Sequence, residues 1–336
     1  MARSDERRTL VRLTADLTSA RLQEFFEVME LERQPSKRSY LAKIEEIAGT
    51  KRLPLAAIAD LFDRLAPSSR QHVFLLKSPQ GLAREFRESL SERVESIMKR
   101  HGLTGSRRTV LTPPSPTLAS IVTSGTASIQ FNVVSTIETH EYDSELNFER
   151  TDENGDQIEF RAYRKEISRC VSILRWNLVS GEAQLQVTQL SSEGDYDRAW
   201  TGVSGILAPD LHIELFENID LPAAIRRLHE SAERPTPEVR VQMADYNSPL
   251  GRRLSGRGST TKHSLSGEAL VDKAMKTIRD SGVGRLATFY WQPQPPTLTE
   301  EVRVQVVAEQ NRLNFSTNND EAAIAHILAR VRAQSL

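Results

Sequence analysis

Over the first hundred residues the apolar side chains recur at intervals of three and four, whereas beyond about residue 126 they alternate. The first period is that of a helix with one buried face, the second that of a strand. Leu22, Phe25, Phe26 and Met29 predict one short helix, and Tyr40, Leu41, Ile44, Ile47 and Ala48 predict a second. A proline-bearing extended link joins them. Ser36 stands where an N-cap belongs, and Lys37 and Arg38 follow in the first turn, where the helix macrodipole favours acids instead. Cations placed against the dipole, beside the free N–H groups of a helix start, point to an external phosphate. The alternative is a solvated charged turn.

Pro54 opens a further helix carrying Leu55, Ile58, Leu61, Phe62 and Leu65, and Pro67 closes it. The run QHVFLLK is too short to type by periodicity. Leu82, Phe86, Leu90, Val94 and Ile97 or Met98 predict one long helix over residues 79–100, with Gly102 as its C-cap. Residues 1–103 are therefore expected to form a bundle of four or five helices, its Glu and Arg residues facing solvent.

Residues 104–125, rich in Pro, Ser and Thr, predict a linker. After it come a strand (ASIQFNVVSTIETHEYD), a hairpin turning at Asn154–Gly155, and another turning at Ser180–Gly181. Helices are expected near residues 196–207 and 221–231, which makes residues 126–233 an α+β domain. Residues 234–336 repeat the logic: a strand (EVRVQMADY), a loop over residues 246–267, a helix over residues 268–280 with Leu270, Val271, Ala274 and Ile278 inward, three strands and a closing helix. The fold class is α+β, an all-helical N-terminal bundle followed by a linker and antiparallel sheet-plus-helix regions.

With 336 residues, 38% hydrophobic and 26% charged, the chain can bury a substantial core. No run approaches the roughly 18 apolar residues of a spanning helix, and MARSDERRTL lacks the apolar stretch of a secretory signal, so a soluble cytoplasmic protein is expected. The single Cys170 excludes an internal disulfide and a cysteine-rich zinc site. Nine lysines against 35 arginines hint at GC-rich coding and a bacterial source. The net charge of −1 hides a partition: 19 basic and 15 acidic residues over 1–103, 11 and 20 over 104–233, and 14 and 10 over 234–336. An acidic middle repels polyanions, so nucleic-acid contact is expected in the terminal thirds.

The loop over residues 246–267 holds Arg252, Arg253, Arg257 and Lys262 among Gly251, Gly256 and Gly258, and no acid. Glycine admits backbone N–H groups to a phosphate and arginine grips it bidentately, so this loop is either a phosphate clamp or a solvated surface loop. It matches neither nucleotide-binding glycine motif. DENGD lacks the spacing of a calcium loop and reads as a turn. The seven histidines never take zinc-ligand spacing, and no nucleophile elbow is present. Pro209, Asp210 and Glu214 suggest the acidic part of a metal-dependent nuclease without its lysine. Trp176, Trp200 and Trp291 lie in apolar stretches and read as core.

The helix pair over residues 18–48 resembles the SAP-type helix-extended-helix module, in which a basic turn and the second helix meet the DNA backbone. More faintly, through KRLPLAAIADLFDRLAPSSRQHVFLLK and the later sheet regions, the layout resembles the centromere protein N family. That resemblance implies half-barrel-like sheets, a DNA-holding bundle with Lys37, Arg38, Lys51 and Arg52 as contacts, and a C-terminal region that mediates assembly. Lys43 joins them as a basic position of the second helix. The expectation is thus a non-enzymatic DNA-binding protein without cofactor or metal, contacting phosphates through the bundle and forming a dimer or recruiting a partner through the C-terminal region. Two alternatives stay open: an interaction scaffold without nucleic-acid binding, and a nuclease or hydrolase with a non-contiguous site.

Overall fold

The computed structural model describes residues 2–15, 17–190, 193–260 and 262–336. Four helices, α1 (Ala2–Thr14), α2 (Ser19–Val28), α3 (Lys37–Ile47) and α4 (Leu55–Leu65), share one core that includes Leu10, Leu22, Phe26, Tyr40, Ile44 and Ile58. The periodic residues of the helix pair are buried except Met29 and Leu41, which pack half-buried on the same core, and Phe26 meets the Tyr40 ring edge-on at 4.7 Å. Ser36 caps α3, its hydroxyl accepting from the Ser39 N–H at 3.2 Å. From α1, the Arg7 guanidinium donates to the Ala48 carbonyl at 3.0 Å and to that of Glu45. The last carbonyls of α3, orphaned by the end of the helix, are satisfied in this way.

The expected bundle of residues 1–103 ends early. QHVFLLK is strand β1 (Gln71–Lys77), and the single helix expected over residues 79–100 is two, α5 (Gln80–Glu88) and α6 (Leu90–Arg100). The break lies at Ser89, whose backbone leaves helical geometry (φ −115°, ψ 23°) while its hydroxyl donates to the Glu85 carbonyl at 3.0 Å. A serine that bonds local backbone competes with the helix ladder. Both helices pack on the sheet rather than on the bundle; Phe86 lies 5.0 Å from the Trp176 ring. Gly102, at φ +62°, ends α6 in the left-handed conformation expected of it.

The expected linker is also ordered in large part. Its second half is strand β2 (Thr117–Ser124), paired with β3 (Ser128–Tyr142). Its first half ties bundle to sheet: Arg107 pairs with Asp60 at 2.8 Å, and the Arg108 N–H reaches the Ala119 carbonyl. The strand was hidden here because Ser and Thr clustered near prolines read as linker, although Thr is also a strand former.

The remaining elements are β4 (Phe148–Thr151), β5 (Gln157–Phe160), β6 (Tyr163–Asn177), β7 (Glu182–Thr188), α7 (Glu193–Leu207), β8 (Glu217–Asn218), α8 (Leu221–Ser231), β9 (Val239–Asn247), β10 (Arg253–Arg257), α9 (Ala269–Ser281), β11 (Val283–Trp291), β12 (Val302–Val307), β13 (Arg312–Phe315) and α10 (Glu321–Ser335). The two α+β regions are one antiparallel sheet, ordered β10-β9-β11-β12-β13-β1-β7-β6-β3-β2, with β8 beside β1 and β4–β5 forming a separate ribbon. Strand β1 is the keystone. Its Val73 and Leu75 enter the core under α8 and α10, whereas Leu76 and Phe74 enter the core under α5 to α7. Alternate residues of a strand point to opposite faces, so the two halves bury opposite faces of one sheet. Among the described residues no helix is long and apolar enough to cross a membrane.

Candidate nucleic-acid interface

Helix α3 carries the candidate cations at its two ends. Lys37 and Arg38 are exposed in its first turn, which holds no acid, and Lys51 and Arg52 are exposed in the turn beyond its C-terminus. Among the described residues no ion pair engages any of these four side chains. The 11 residues of α3 rise about 1.5 Å each, so the pairs stand on the order of 15 Å or more apart. At 100° per residue Arg38 shares the outward face with Ala42 and Glu45, while Lys37 and Lys43 flank the buried stripe of Tyr40, Ile44 and Ile47 on opposite sides. Lys43 is already engaged by Glu46 at 2.8 Å. The surface is bipolar: two free cation pairs at the ends and carboxylates between them.

The glycine-rich segment is structured where a loop was expected, Thr261 alone lying outside the described residues. A turn at Gly251 (φ +75°) returns the chain as β10, paired along β9. Gly256 is needed for packing: a Cβ there would stand 2.8 Å from Leu265 and 2.9 Å from the Met275 sulfur. At Gly258 it would meet the His263 carbonyl at 2.5 Å. These glycines serve internal close approach, a use that sequence does not distinguish from approach to a phosphate. Arg253 pairs with the buried Asp245 at 2.6 Å, whereas Arg252, Arg257 and Lys262 remain exposed without an ion pair among the described residues. The bundle packs on β6 through Ala66, Val171 and Ile173, and β10 is seven strands away, so the two basic clusters do not converge.

The residues suggested as a nuclease fragment are occupied otherwise. Asp210 pairs with Arg100 at 2.6 Å and Glu214 with His212 at 2.8 Å. Among the described residues no three metal-ligating side chains gather. Cys170 is buried, and burial pushes its thiol pKa up. Trp176 and Trp291 are fully buried, and Trp176 donates to the Ser78 hydroxyl at 3.0 Å.

One feature escaped the sequence reading altogether. A cleft of about 980 Å³ lies where the bundle, β6 and the C-terminal half meet, lined by Arg70, Arg169, Thr188, Gln189, Asn318 and Asn319 among others. The Arg169 side chain is 1% exposed, pairs with Asp63 at 2.6 Å and donates to the Val110 and Leu111 carbonyls. Burial outweighs the guanidinium and raises the Asp63 pKa above its usual range. Its only sequence signal is an arginine at an inward position of an apolar strand, with Val171 and Ile173 following at alternate positions.

The architecture defines a mixed α+β protein in which a helical bundle is fastened to the middle of a large antiparallel sheet. No protein-family model matches the chain, and no curated protein is significantly similar to it.

Proposed function

We propose that this is a non-enzymatic, cytoplasmic DNA-binding protein that places its helical bundle on the phosphate backbone and assembles through its sheet. The observation that carries the reading is the pair of uncommitted cation clusters at the two ends of α3, Lys37–Arg38 and Lys51–Arg52, on a helix whose start is capped and free of acids. Separated by about 15 Å of helix, they reach more than one phosphate along a duplex. The resemblance to the SAP-type module supports the same use of the second helix. Glu45 and Glu46 between the clusters disfavour contact along the helix centre, so the ends carry the affinity. Arg252, Arg257 and Lys262 are secondary contacts that need a separate segment of DNA.

Four phosphate contacts give a slope of about −3.6 in log affinity against log salt, or roughly a 150-fold loss between about 50 and about 200 mM. Fluorescence anisotropy with the full-length chain and labelled duplexes of unrelated sequence measures this. Equal affinity for those duplexes and a steep salt slope are expected, with Lys37→Glu/Arg38→Glu nearly abolishing binding. No binding at either salt, or a double variant that binds normally, refutes the reading.

A further inference from the structure

We infer that the chain binds a second copy of itself, the arm formed by β4 and β5 docking in the groove between β10 and α9 of the neighbour. The inference rests on the assembly half of the proposed function and not on DNA contact.

Among the described residues the arm has no intramolecular cover. Strands β3 and β6 pair to their ends at Tyr142 and Tyr163, and beyond them β4 and β5 form a two-stranded ribbon, every residue of which is exposed. Phe148 and Phe160 stack at 4.6 Å on one face, 57% and 40% exposed, with Ile158 beside them. The opposite face sets Glu149 directly across from Glu159. A two-stranded ribbon is marginal in water, and although Glu159 pairs with Arg161 at 3.3 Å, the carboxylate of Glu149 set opposite it weakens the ribbon further. An apolar and cationic partner surface relieves both. Residues 138–166 hold ten acidic and four basic residues, so the cover must be basic.

This chain carries such a surface. Leu254 of β10 and Leu270, Ala274 and Ile278 of α9 line an open groove of about 430 Å³ whose walls include Lys273. Of the residues placed inward by the helical period, Val271 and Ile278 pack on the core, but Leu270 is 80% exposed and Ala274 is exposed, because Met275 and Arg279 occupy the centre of the buried face of α9. In segment 248–281 Arg253 is paired with Asp245 and Arg279 is buried against Glu233, which leaves Arg252, Arg257, Lys262, Lys273 and Lys276 exposed against three acidic residues. Strand β10 ends the sheet, and among the described residues no further strand pairs with its outer edge, which can accept an added strand. The groove is not filled by its own arm: β10 and β6 are seven strands apart along the sheet, a path on the order of 34 Å, and Phe148 and Phe160 of the arm and Leu270 of the groove all stay exposed. Two patches with apolar centres and opposite charge, both left exposed within one chain, fit each other between chains. Reciprocal docking closes a two-fold dimer, and one-way docking makes a chain of copies.

Light scattering on the nuclease-treated full-length protein tests this without nucleic acid. At about 50 mM salt, association should rise with concentration in the range of about 1–200 μM, and at about 500 mM it should weaken at least several-fold. Phe148→Asp/Phe160→Asp and Leu254→Asp/Leu270→Asp should each weaken association at least tenfold with the melting temperature retained, all four residues being exposed. An equimolar mixture of the two variants should recover a heterodimer, since one keeps an intact groove and the other an intact arm. Glu149→Lys/Glu159→Lys should likewise be rescued by Lys273→Glu/Lys276→Glu on the partner copy. A monomer throughout, an oligomer indifferent to both variant pairs, or a mixture that stays monomeric overturns the inference. Each of these leaves the DNA reading standing, and loss of DNA binding leaves the docking result unaffected.

Discussion

His229 shows how a single buried side chain couples this fold to pH. It is 2% exposed, bonds through Nδ1 to the Tyr246 hydroxyl at 2.9 Å, and faces Arg279, Glu233 and Asp272. Burial first, then the Arg279 charge, lowers its pKa from 6.5 to about 4. The unfolded chain therefore binds a proton that the folded chain refuses, so the contribution to stability is complete above about pH 6.5 and is lost as pH falls towards 4. Between about pH 7 and about pH 4.5 the wild type should lose on the order of 2–3 kcal/mol more than His229→Gln, read from urea unfolding of both proteins. Equal losses would disprove the assignment. Sequence alone placed His229 among seven ordinary histidines; its neighbours on α9 and β9 are distant in the chain and supply the burial and charge that depress its pKa. Ser36 was legible by contrast, because an N-cap is a relation between residues three apart.

At the level of elements, short-range periodicity identified α2, α3 and α4 with their buried faces, and the strands of both hairpins, of which the one turning at Asn154–Gly155 buries no face. It failed wherever a neighbour outside the element chose the conformation. Residues 79–100 have one continuous apolar stripe, yet the chain breaks at Ser89 and both halves pack on the sheet. Helix α9 has two apolar stripes, and the sheet took the one with Met275, leaving Leu270 bare. Residues 246–267 have the composition of a loop, yet β9 offers a free edge and Gly256 lets the strand pack under Leu265. The cap of α3 belongs to the same scale. Ser36→Ala should cost about 1 kcal/mol in urea-induced unfolding, since it orphans the Ser39 N–H at an exposed helix start. A change near zero would mean that tertiary packing, not the cap, holds the start of α3.

For the whole molecule, β1 makes the bundle inseparable from the sheet. It pairs with β7 on one side and β13 on the other, strands more than 100 and 200 residues further along the chain. A fragment of residues 1–103 keeps the core of α1 to α4 but strands β1 without partners and bares Phe86, Leu90 and Ile97. It should bind a hydrophobic dye and unfold without a sharp transition in its sheet-facing part, whereas the full chain should unfold cooperatively. A fragment that melts sharply and binds no dye would refute this. The buried Arg169–Asp63 pair adds a second tie between sheet and bundle.

Local spacing sufficed for the α+β class, the helix pair with its cap, the hairpin turns and the basic candidates on α3, because each depends on residues within about one turn or one hairpin. Domain limits, the cleft at Arg169, the exposed arm and the separation of the two basic clusters came only with the tertiary structure. Those depend on which distant strand pairs with β1 and which face of each helix the sheet accepts. That outcome is set by competition for burial across the whole chain, which periodicity within one segment does not encode.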